Sequence, residues 1–381
     1  MAFTIPRVVR SSLAASSFSF NSSSVPSKRS RQTRLCAPCT VSLRVGTHLV
    51  GSQTQFSRRG DRHIGRRGIF RPSSVRLRCG RDVRVMAGLT EEQVEFYHSE
   101  GYLVIEDFAS QEECAGLRKR AEEIIQEFDP TTLPIFSTKD QGATTDNYFL
   151  DSANNVSCFF EEKAFDEEKK LRQAKSKSIN KIGHAMHDVD PVFATFSRSK
   201  KLAEVAKSLG YIAPTPVQSM YIFKQPMIGG EVVPHQDSTF LYTDPPTVCG
   251  AWFALEDATM ENGCLWILPK SHKGEITRRM RLAGDQKISF EGHVPEFELS
   301  TFVPLEMKEG SLVMLHGAVW HMSHENKSPK SRHAYSLHFI EASGAEWDAQ
   351  NWLQRTEDNP FVPFEAAGEQ KTRPPMRKVG I

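Results

Sequence analysis

The spacing of apolar residues along the chain differs on the two sides of about residue 215. After that point, short runs rich in β-branched and aromatic residues are separated by Gly, Pro and Asp, a texture typical of strands. The predicted strands are Val217–Phe223, Thr239–Tyr242, Val248–Leu255, Cys264–Ile267, Phe302–Leu305, Ser311–Leu315 and Ala334–Ile340. Seven short strands with turn signals between them favour an antiparallel sandwich or barrel.

The chain before residue 215 has a more helical pattern. Two segments begin with a capping box, in which a Thr or Ser is followed three residues later by a Gln or Glu. The predicted helices run from Thr90 to Gly101, Ser110 to Phe128, Ile179 to Phe196 and Leu202 to Leu209, with a strand over 102–105 and a charged, loop-like stretch over 129–178. Because these helices precede the strands, we expect them to pack against one face of the β-structure.

Charge divides the chain into two unlike parts. The 381 residues carry a formal charge of only +2, but residues 1–86 contain 17 Lys and Arg against Asp61 and Asp82, about +15, which leaves about −13 for the remainder. Residues 1–86 are also rich in Ser and lack apolar periodicity. This composition predicts a disordered organellar transit peptide, with residues 87–381 as the folded domain.

The composition of this leader, residues 1–86, favours import into the chloroplast, with the mitochondrion as the alternative. It implies recognition by import machinery. Binding to nucleic acid or to an anionic membrane is another interpretation of its charge, but its Arg residues are scattered among Ser runs. No apolar run approaches the roughly 18 residues that a membrane-spanning helix needs, so we expect no membrane insertion. The acidic remainder argues against nucleic-acid binding, and nothing in the sequence sets the oligomeric state.

Cysteines give no sign of a disulfide or zinc scaffold. Cys36 and Cys39 form one C-x-x-C within the leader, without a second pair. The other cysteines with structural relevance, Cys114, Cys158, Cys249 and Cys264, are widely spaced, which predicts reduced residues of the core.

The segment His235-Gln236-Asp237 is a candidate metal site. In an extended chain, residues two apart point the same way, so His235 and Asp237 could bind one ion. A solvated polar turn is the ordinary alternative for such a pair. His98 and Glu100 have the same spacing, but they fall in a predicted helix, where they should diverge by about 200°.

A facial iron triad needs a second histidine from a distant strand, and three candidates lie close together: His316, His321 and His324. Arg332 follows them at the start of the last predicted strand. An oxygenase that uses a 2-oxo acid needs a cationic partner for the far carboxylate of that acid, and Arg suits this role best.

Several motifs resemble those of the phytanoyl-CoA dioxygenase family. They are His235-Gln-Asp, Cys249-Gly-Ala-Trp252, Glu261-Asn-Gly-Cys-Leu-Trp-Ile-Leu-Pro-Lys-Ser-His272, and His321 with Arg332 eleven residues later. The resemblance covers about residues 89–360. It implies a mainly β fold with flanking helices, namely a double-stranded β-helix (a cupin-like jelly roll) over about 215–342, buttressed by the N-terminal helices.

The resemblance also implies cofactors and residue roles. The cofactor would be Fe(II), with 2-oxoglutarate and O2 as co-substrates, and the metal ligands would be His235, Asp237 and His321. The 2-oxoglutarate carboxylate would fall to Arg332, helped by Ser323 and Lys181, with Met220 and Trp252 lining the site. Taken alone, Lys181 would be read as a solvated helical residue, and Met220 and Trp252 as core residues.

Other candidates near the motifs keep simpler interpretations. His184 and His187, three apart in a predicted helix, have a spacing that can bind metal, but a role in capping or in supporting the site is expected, and His316 could orient the distal ligand. His272 receives no role. Arg278, Arg279 and Arg281 are the nearest candidates to bind the diphosphate of an acyl-CoA, with a solvated loop as the alternative.

The reaction that follows from the resemblance is hydroxylation or oxidation of a C–H bond in a small-molecule substrate, with 2-oxoglutarate converted to succinate and CO2. Because Asp237 retains the carboxylate ligand that related halogenases lack, we expect oxygenation rather than chlorination. Two alternatives remain: a catalytically silent jelly roll that binds or senses metal and 2-oxoglutarate, and a zinc hydrolase using the same three ligands.

Overall fold

The computed structural model describes residues 88–129, 134–136, 147–284, 287–357 and 359–365. The predicted transit peptide and its Cys36–Cys39 pair lie outside these residues. The helices are α1 (Glu91–Glu100), α2 (Gln111–Glu127), α3 (Asn147–Asp151), α4 (Met186–Val189), α5 (Pro191–Ser197) and α6 (Lys200–Ser208). None of the helices in the described part of the chain has the length and apolarity to cross a membrane.

Most of the regular elements after α6 are strands. The strands are β1 (Tyr102–Ile105), β2 (Ile135–Phe136), β3 (Val156–Glu161), β4 (Ile179–His184), β5 (Pro214–Ile222), β6 (Val232–His235), β7 (Thr243–Asp244), β8 (Cys249–Ala254), β9 (Leu265–Ile267), β10 (Arg278–Leu282), β11 (Ile288–Gly292), β12 (Val303–Leu305), β13 (Leu312–His316), β14 (His321–Ser323), β15 (Ala334–Glu341) and β16 (Glu346–Trp347). β10 with β11 and β7 with β16 form separate two-stranded pairs.

Two sheets carry the architecture. The large sheet has the order β1-β13-β8-β15-β5-β4-β3-β2 and the small sheet β12-β9-β14-β6. From β5 to β15 the chain passes repeatedly from one sheet to the other, and within each sheet these strands pair antiparallel. This alternation is the double-stranded β-helix, so the predicted fold is confirmed.

Strand β8 shows why the large sheet is apolar on both faces. Its side chains alternate, so that Ala251 and Phe253 join the cluster shared with the helices, whereas Trp252 and Ala254 join the cluster between the sheets. A sheet covered on both faces reads as a continuous apolar run instead of an alternating one. The polar residues on its inner face are therefore exceptions that must have partners.

All the helices except α3 cover the outer face of the large sheet, as predicted, whereas Phe149 of α3 lines the cavity described below. Both capping boxes form: Thr90 Oγ1 accepts from the Gln93 N–H, and Ser110 Oγ accepts from the Glu113 N–H. Gly101 ends α1 with φ of 85°, a left-handed conformation that favours glycine. Local capping chemistry thus set these boundaries. The four cysteines outside the leader are buried and free, as predicted.

The predicted helix over Ile179–Phe196, with its interruption at Asp190-Pro191, is wrong in its first part and confirmed after it. Its first third is β4, which pairs with β3 on one side and β5 on the other, and only then do α4 and α5 follow. Ile179 and Ile182 have helical spacing, but the pairing of both strand edges outweighs local preference. His184 therefore ends a strand while His187 lies in α4, so the two do not share a helix.

Three further predictions of secondary structure are wrong. Residues 239–242 form no strand, because the chain turns after Asp237, whose carbonyl accepts from the Phe240 and Leu241 N–H groups. Residues 278–282 are a strand of a β-hairpin and not a loop. The stretch 129–178, where described, contains β2, α3 and β3.

Candidate metal centre

Strand register brings His235, Asp237 and His321 together. His235 ends β6, His321 begins β14, and the two residues are directly paired across the small sheet. Gln236 keeps an extended backbone, and its buried amide donates to the Ala318 and Glu275 carbonyls. Asp237 therefore returns to the side of His235. One ligand atom from each of the three residues lies within 4.8 Å of the others.

The two imidazoles are held in matching orientations. Nδ1 of His235 lies 2.9 Å from the Val233 carbonyl, and Nδ1 of His321 lies 3.1 Å from the Val319 carbonyl. Because a carbonyl can only accept, each Nδ1 must carry its proton, which leaves the Nε2 lone pair free. Those Nε2 atoms face Asp237 Oδ1 at 3.7 and 3.6 Å.

This donor set fits a divalent cation. Two nitrogen lone pairs and a carboxylate oxygen that converge in a buried place repel one another unless a cation lies between them. The donors, two imidazoles and one carboxylate, are those of the facial triad that holds non-haem iron. Burial lowers the pKa of His235 to about 4, so its imidazole is neutral and able to ligate at physiological pH.

Asp237 also lies beside His338, a residue that the sequence analysis did not single out. His338 Nε2, from the inner face of β15, lies 3.3 Å from Asp237 Oδ2, which accepts no hydrogen bond within the described chain. Burial alone would raise the pKa of Asp237, but the imidazoles of His338, His321 and His235 hold it below its usual value. Gly250 makes room, since a Cβ there would approach Asp237 Oδ2 to 3.0 Å.

The other candidate histidines lie elsewhere. The side chain of His316 contacts Ala318, Tyr97 and His272, none of which is a candidate metal ligand. His324 is exposed and packs on Trp266. His187 approaches Ser219 and Asp188, and His184 approaches Ser152. Of these four, only His184 also lines the cavity described next.

A cavity of about 1370 Å³, including its open mouth, extends from the three ligands between the two sheets. Its lining has an apolar, aromatic part and a polar part, and the polar end is the region around Arg332, Lys224 and Glu161. The apolar lining comprises Phe136, Phe149, Met220, Phe240, Leu241, Trp252, Met280 and Trp352. The polar lining includes Glu161, Asn180, Lys181, Gln218, Lys224, Glu231, Ser323, Arg332 and Ser336.

Arg332 lies at the polar end, buried to 1% exposure. It lies two residues before β15, which begins at Ala334 as predicted. Its Nε donates to the Gly263 carbonyl at 3.1 Å, its guanidinium carbon lies 5.1 Å from the centre of the Trp252 ring, and Nη1 has no hydrogen-bond partner in the described structure. Burial lowers the pKa of Arg332 to about 10, which leaves it charged. A buried, half-satisfied guanidinium requires an anion.

The remaining predicted residues also line the cavity. Lys181 lies on β4, and its Nζ is 3.3 Å from the centre of the Phe136 ring, with Phe149 and Phe159 beyond. Burial lowers the pKa of Lys181 to about 7. Met220 on β5 and Trp252 on β8 lie on either side of β15, where both pair with Ser336, and Ser323 ends β14. The structure therefore gathers all eight predicted site residues around one cavity.

The sequence reading missed Glu161 and Lys224. Glu161 is 1% exposed, and its Oε1 has no partner in the described structure. Lys224, 2% exposed, donates to Ser323 Oγ at 2.8 Å and to the Gly230 carbonyl at 2.6 Å. The available signal for Lys224 was its place directly after the predicted strand Val217–Phe223.

The three arginines considered for a diphosphate are engaged within the protein. Arg278 stacks on Phe290 at 4.0 Å, Arg279 pairs with Asp348 at 2.7 Å, and Arg281 pairs with Glu291 at 2.7 Å. A diphosphate would have to compete with these partners.

Comparison with known proteins agrees with this geometry. The sequence profile of the family described as "Phytanoyl-CoA dioxygenase (PhyH)" matches residues 97–334. "Phytanoyl-CoA dioxygenase" of Arabidopsis thaliana is 55% identical over 271 residues, covering 71% of this chain and 95% of that protein. "Phytanoyl-CoA dioxygenase domain-containing protein 1" of Bos taurus is 45% identical over 294 residues, covering 73% and 99%.

Among solved structures, the "non-heme alpha ketoglutarate dependent carbocyclase SnoK from nogalamycin biosynthesis" aligns with a TM-score of 0.49 at 18% identity, covering 72% of this chain and 96% of that one. The family assignment depends on the sequence matches alone, which span most of the described residues. The chain is an oxidoreductase that belongs to the phytanoyl-CoA dioxygenase family.

Proposed function

We propose that this protein is an Fe(II)- and 2-oxoglutarate-dependent dioxygenase that hydroxylates or oxidises a C–H bond of a small-molecule substrate. The observation that carries the proposal is the convergence of His235, Asp237 and His321 at one end of a cavity whose polar end holds the buried Arg332. We propose that a 2-oxo diacid joins the two, with its 2-oxo end at the metal and its far carboxylate at the guanidinium.

Bound together, Fe(II) and 2-oxoglutarate would supply the oxidising power for C–H oxygenation with O2, and 2-oxoglutarate would leave as succinate and CO2. The protein's part is to arrange the donors. His235 and His321 present fixed Nε2 lone pairs, and Asp237 occupies a third position that a halide would need in a halogenase. Asp237 therefore supports oxygenation over chlorination, and chloride-dependent chlorination of a product would contradict this.

The walls of the cavity bear on the substrate. Phe240, Leu241, Met280 and Trp352 give the space beside the ligands an apolar surface, which favours a hydrocarbon segment over a charged one. A Cys or Ser nucleophile is not needed for this chemistry. By its name, the Arabidopsis thaliana relative acts on phytanoyl-CoA. For this chain we propose only that the substrate contains an apolar segment.

The test starts from anaerobic protein. Addition of Fe(II) and 2-oxoglutarate should give a charge-transfer absorption band, and admission of O2 should yield succinate even without substrate. His321→Ala should abolish both signals, whereas the matched controls His316→Ala and His324→Ala should retain them. If the wild-type protein gives neither the band nor succinate, the proposal is wrong; if His316→Ala removes the iron, the distal ligand is misassigned.

The same experiment separates the two alternatives. A silent binding or sensory protein would give the absorption band without succinate. A zinc hydrolase would bind Zn(II) with no response to 2-oxoglutarate, and it would have no use for a buried Arg332 facing the cavity. The partly unsatisfied guanidinium is the observation that disfavours the hydrolase.

We also propose that residues 1–86 direct the protein to the chloroplast. Their high Arg and Ser content supports this, as does the fact that the family match begins at residue 97. A fluorescent protein fused behind residues 1–90 should accumulate in plastids. Mitochondrial accumulation would replace the chloroplast assignment, and diffuse cytosolic fluorescence would refute a transit function.

A further inference from the structure

Lys224 is a buried cation that the proposed chemistry does not yet use. It follows β5, is 2% exposed and lines the cavity at the same end as Arg332. Its Nζ donates to the Gly230 carbonyl at 2.6 Å and to Ser323 Oγ at 2.8 Å. An ammonium group has three donors, so these two bonds leave one for a ligand.

The backbone is arranged to place Lys224 there. Lys224 itself adopts a φ of 42°, in the left-handed region that residues with a side chain rarely occupy. Gly263 provides the space: a Cβ at this position would come within 2.8 Å of Lys224 Cε. The carbonyl of the same glycine accepts the Arg332 Nε bond. Gly263 thus positions both cations at once.

Two buried cations lie at this end of the cavity. Arg332 and Lys224 are both fully buried, and the charge of Arg332 disfavours the charge of Lys224. Two acids in the lining favour the charge of Lys224: Glu231, and Glu161, whose Oε2 accepts from the Gly230 N–H and whose pKa is raised by burial. An anion bound between the two cations would offset their repulsion.

Ser323 links the ammonium to that anion. Because Lys224 donates to Ser323 Oγ, the hydroxyl must act as acceptor in that bond, and its own proton is free to point into the cavity. A carboxylate that accepts from Ser323 and from Arg332 Nη1 would then be surrounded by donors and by two positive charges. Charge-assisted bonds of this kind are about twice as strong as neutral ones.

We propose that Lys224 is a positioning and specificity-determining residue for the co-substrate. It orients the Ser323 hydroxyl and adds a second buried positive charge beside Arg332, so that the site selects 2-oxo acids with a second carboxylate at the far end. This inference rests on the proposed use of 2-oxoglutarate. It predicts discrimination against 2-oxopentanoate, which has the same carbon chain but a methyl group in place of that carboxylate.

The test compares equilibrium binding of the two 2-oxo acids to the anaerobic Fe(II) protein, followed by calorimetry and by Trp fluorescence, so that turnover is not the readout. Lys224→Met keeps the length and apolar volume of the side chain and removes the charge. It should weaken 2-oxoglutarate at least about 10-fold and 2-oxopentanoate less than about 2-fold. The preference for the diacid should fall by the same factor.

Lys201→Met is the matched control. Lys201 also binds one carbonyl, that of Phe108, and one side chain, that of Glu113, but it lies on α6, in the helical layer outside the β-helix. It should leave both affinities unchanged. Ser323→Ala combined with Lys224→Met should cost less than the sum of the single changes, because part of the Lys224 effect passes through the hydroxyl.

The outcomes separate the two levels of the proposal. Wild-type protein that binds neither 2-oxo acid would refute the proposed function. Wild-type protein that prefers 2-oxoglutarate while Lys224→Met keeps that preference would refute the role of Lys224 alone, as would an equal loss for both acids. If Lys224→Met fails to fold, Lys224→Gln, which can still donate to the Gly230 carbonyl, should show the same selective loss.

Discussion

Two pairs of a His and an acidic residue in this chain have the same spacing, but only one of them belongs to the candidate metal centre. His98 and Glu100 lie on α1, where Glu100 approaches Lys270 and His98 is exposed. His235 and Asp237 lie at the end of β6, where an extended Gln236 turns both toward His321. The difference shows that the spacing of ligand types acquires meaning only from the backbone that carries it.

The two pairs also differ in what surrounds them. Around α1, Gly101 ends the helix and the His272 ring packs over it, with Nε2 of His272 3.1 Å from the His98 carbonyl. Around β6, both imidazoles are locked by carbonyls and the carboxylate is flanked by His338. The first region serves the connection between α1 and β1, and the second leaves its lone pairs free for a cation.

The largest expected effect is on metal binding. His235→Ala or Asp237→Ala should weaken Fe(II) binding by at least about 100-fold, since loss of a direct ligand should exceed the 10- to 100-fold typical of outer partners. The measurement is an anaerobic titration with Fe(II), or with Co(II) as a coloured substitute. His98→Ala and Glu100→Ala should change the affinity less than about 2-fold, and an equal loss in these controls would break the comparison.

A change at Gly101 should lower the stability of the fold and leave the Fe(II) affinity unchanged. Gly101→Ala forces a side chain into a φ of 85° and against the His272 ring, so it should lower the free energy of unfolding by about 1–3 kcal/mol. Urea denaturation measures this loss. Adding His272→Ala should relieve the collision but not the backbone strain, and so recover part of the stability. A weakened Fe(II) affinity would show that the two regions are coupled.

The smallest expected effect concerns His338. Because its Nε2 lies 3.3 Å from Asp237 Oδ2, His338→Ala should loosen the carboxylate and weaken Fe(II) binding about 10-fold. His333→Ala is the control, since that imidazole approaches the Tyr221 hydroxyl instead. Wild-type affinity in His338→Ala would mean that Asp237 is oriented without its help.

Much of the fold was readable from local pattern. The capping boxes at Thr90 and Ser110 and the apolar runs of β5, β8 and β15 identify those elements within a residue or three of their observed ends. The segment from Ile179 was not readable, because its apolar spacing suits a helix while its two neighbours make it a strand. That error moved Lys181 from a helix surface to the inner face of a sheet.

The candidate site divides in the same way. His235 and Asp237 could be proposed from spacing and an extended context, but the choice among His316, His321 and His324 depended on the family resemblance. The structure supplies a physical reason: only His321 pairs with His235 across the small sheet. His338 and Lys224 escaped notice because a lone His or Lys beside apolar residues carries no local signature of its partners.

By itself, the sequence determined the charge division, the helix caps, the strand-rich C-terminal half and the residue types suited to iron and a dicarboxylate. Only the tertiary structure decided which histidine completes the triad and which cations share the far end of the cavity. Side chains from β4, β5, β6, β8, β14 and β15 line this cavity, and the register of these strands is set by pairing between distant segments. Local propensity cannot encode that register, because it depends on which strands bury each other's faces.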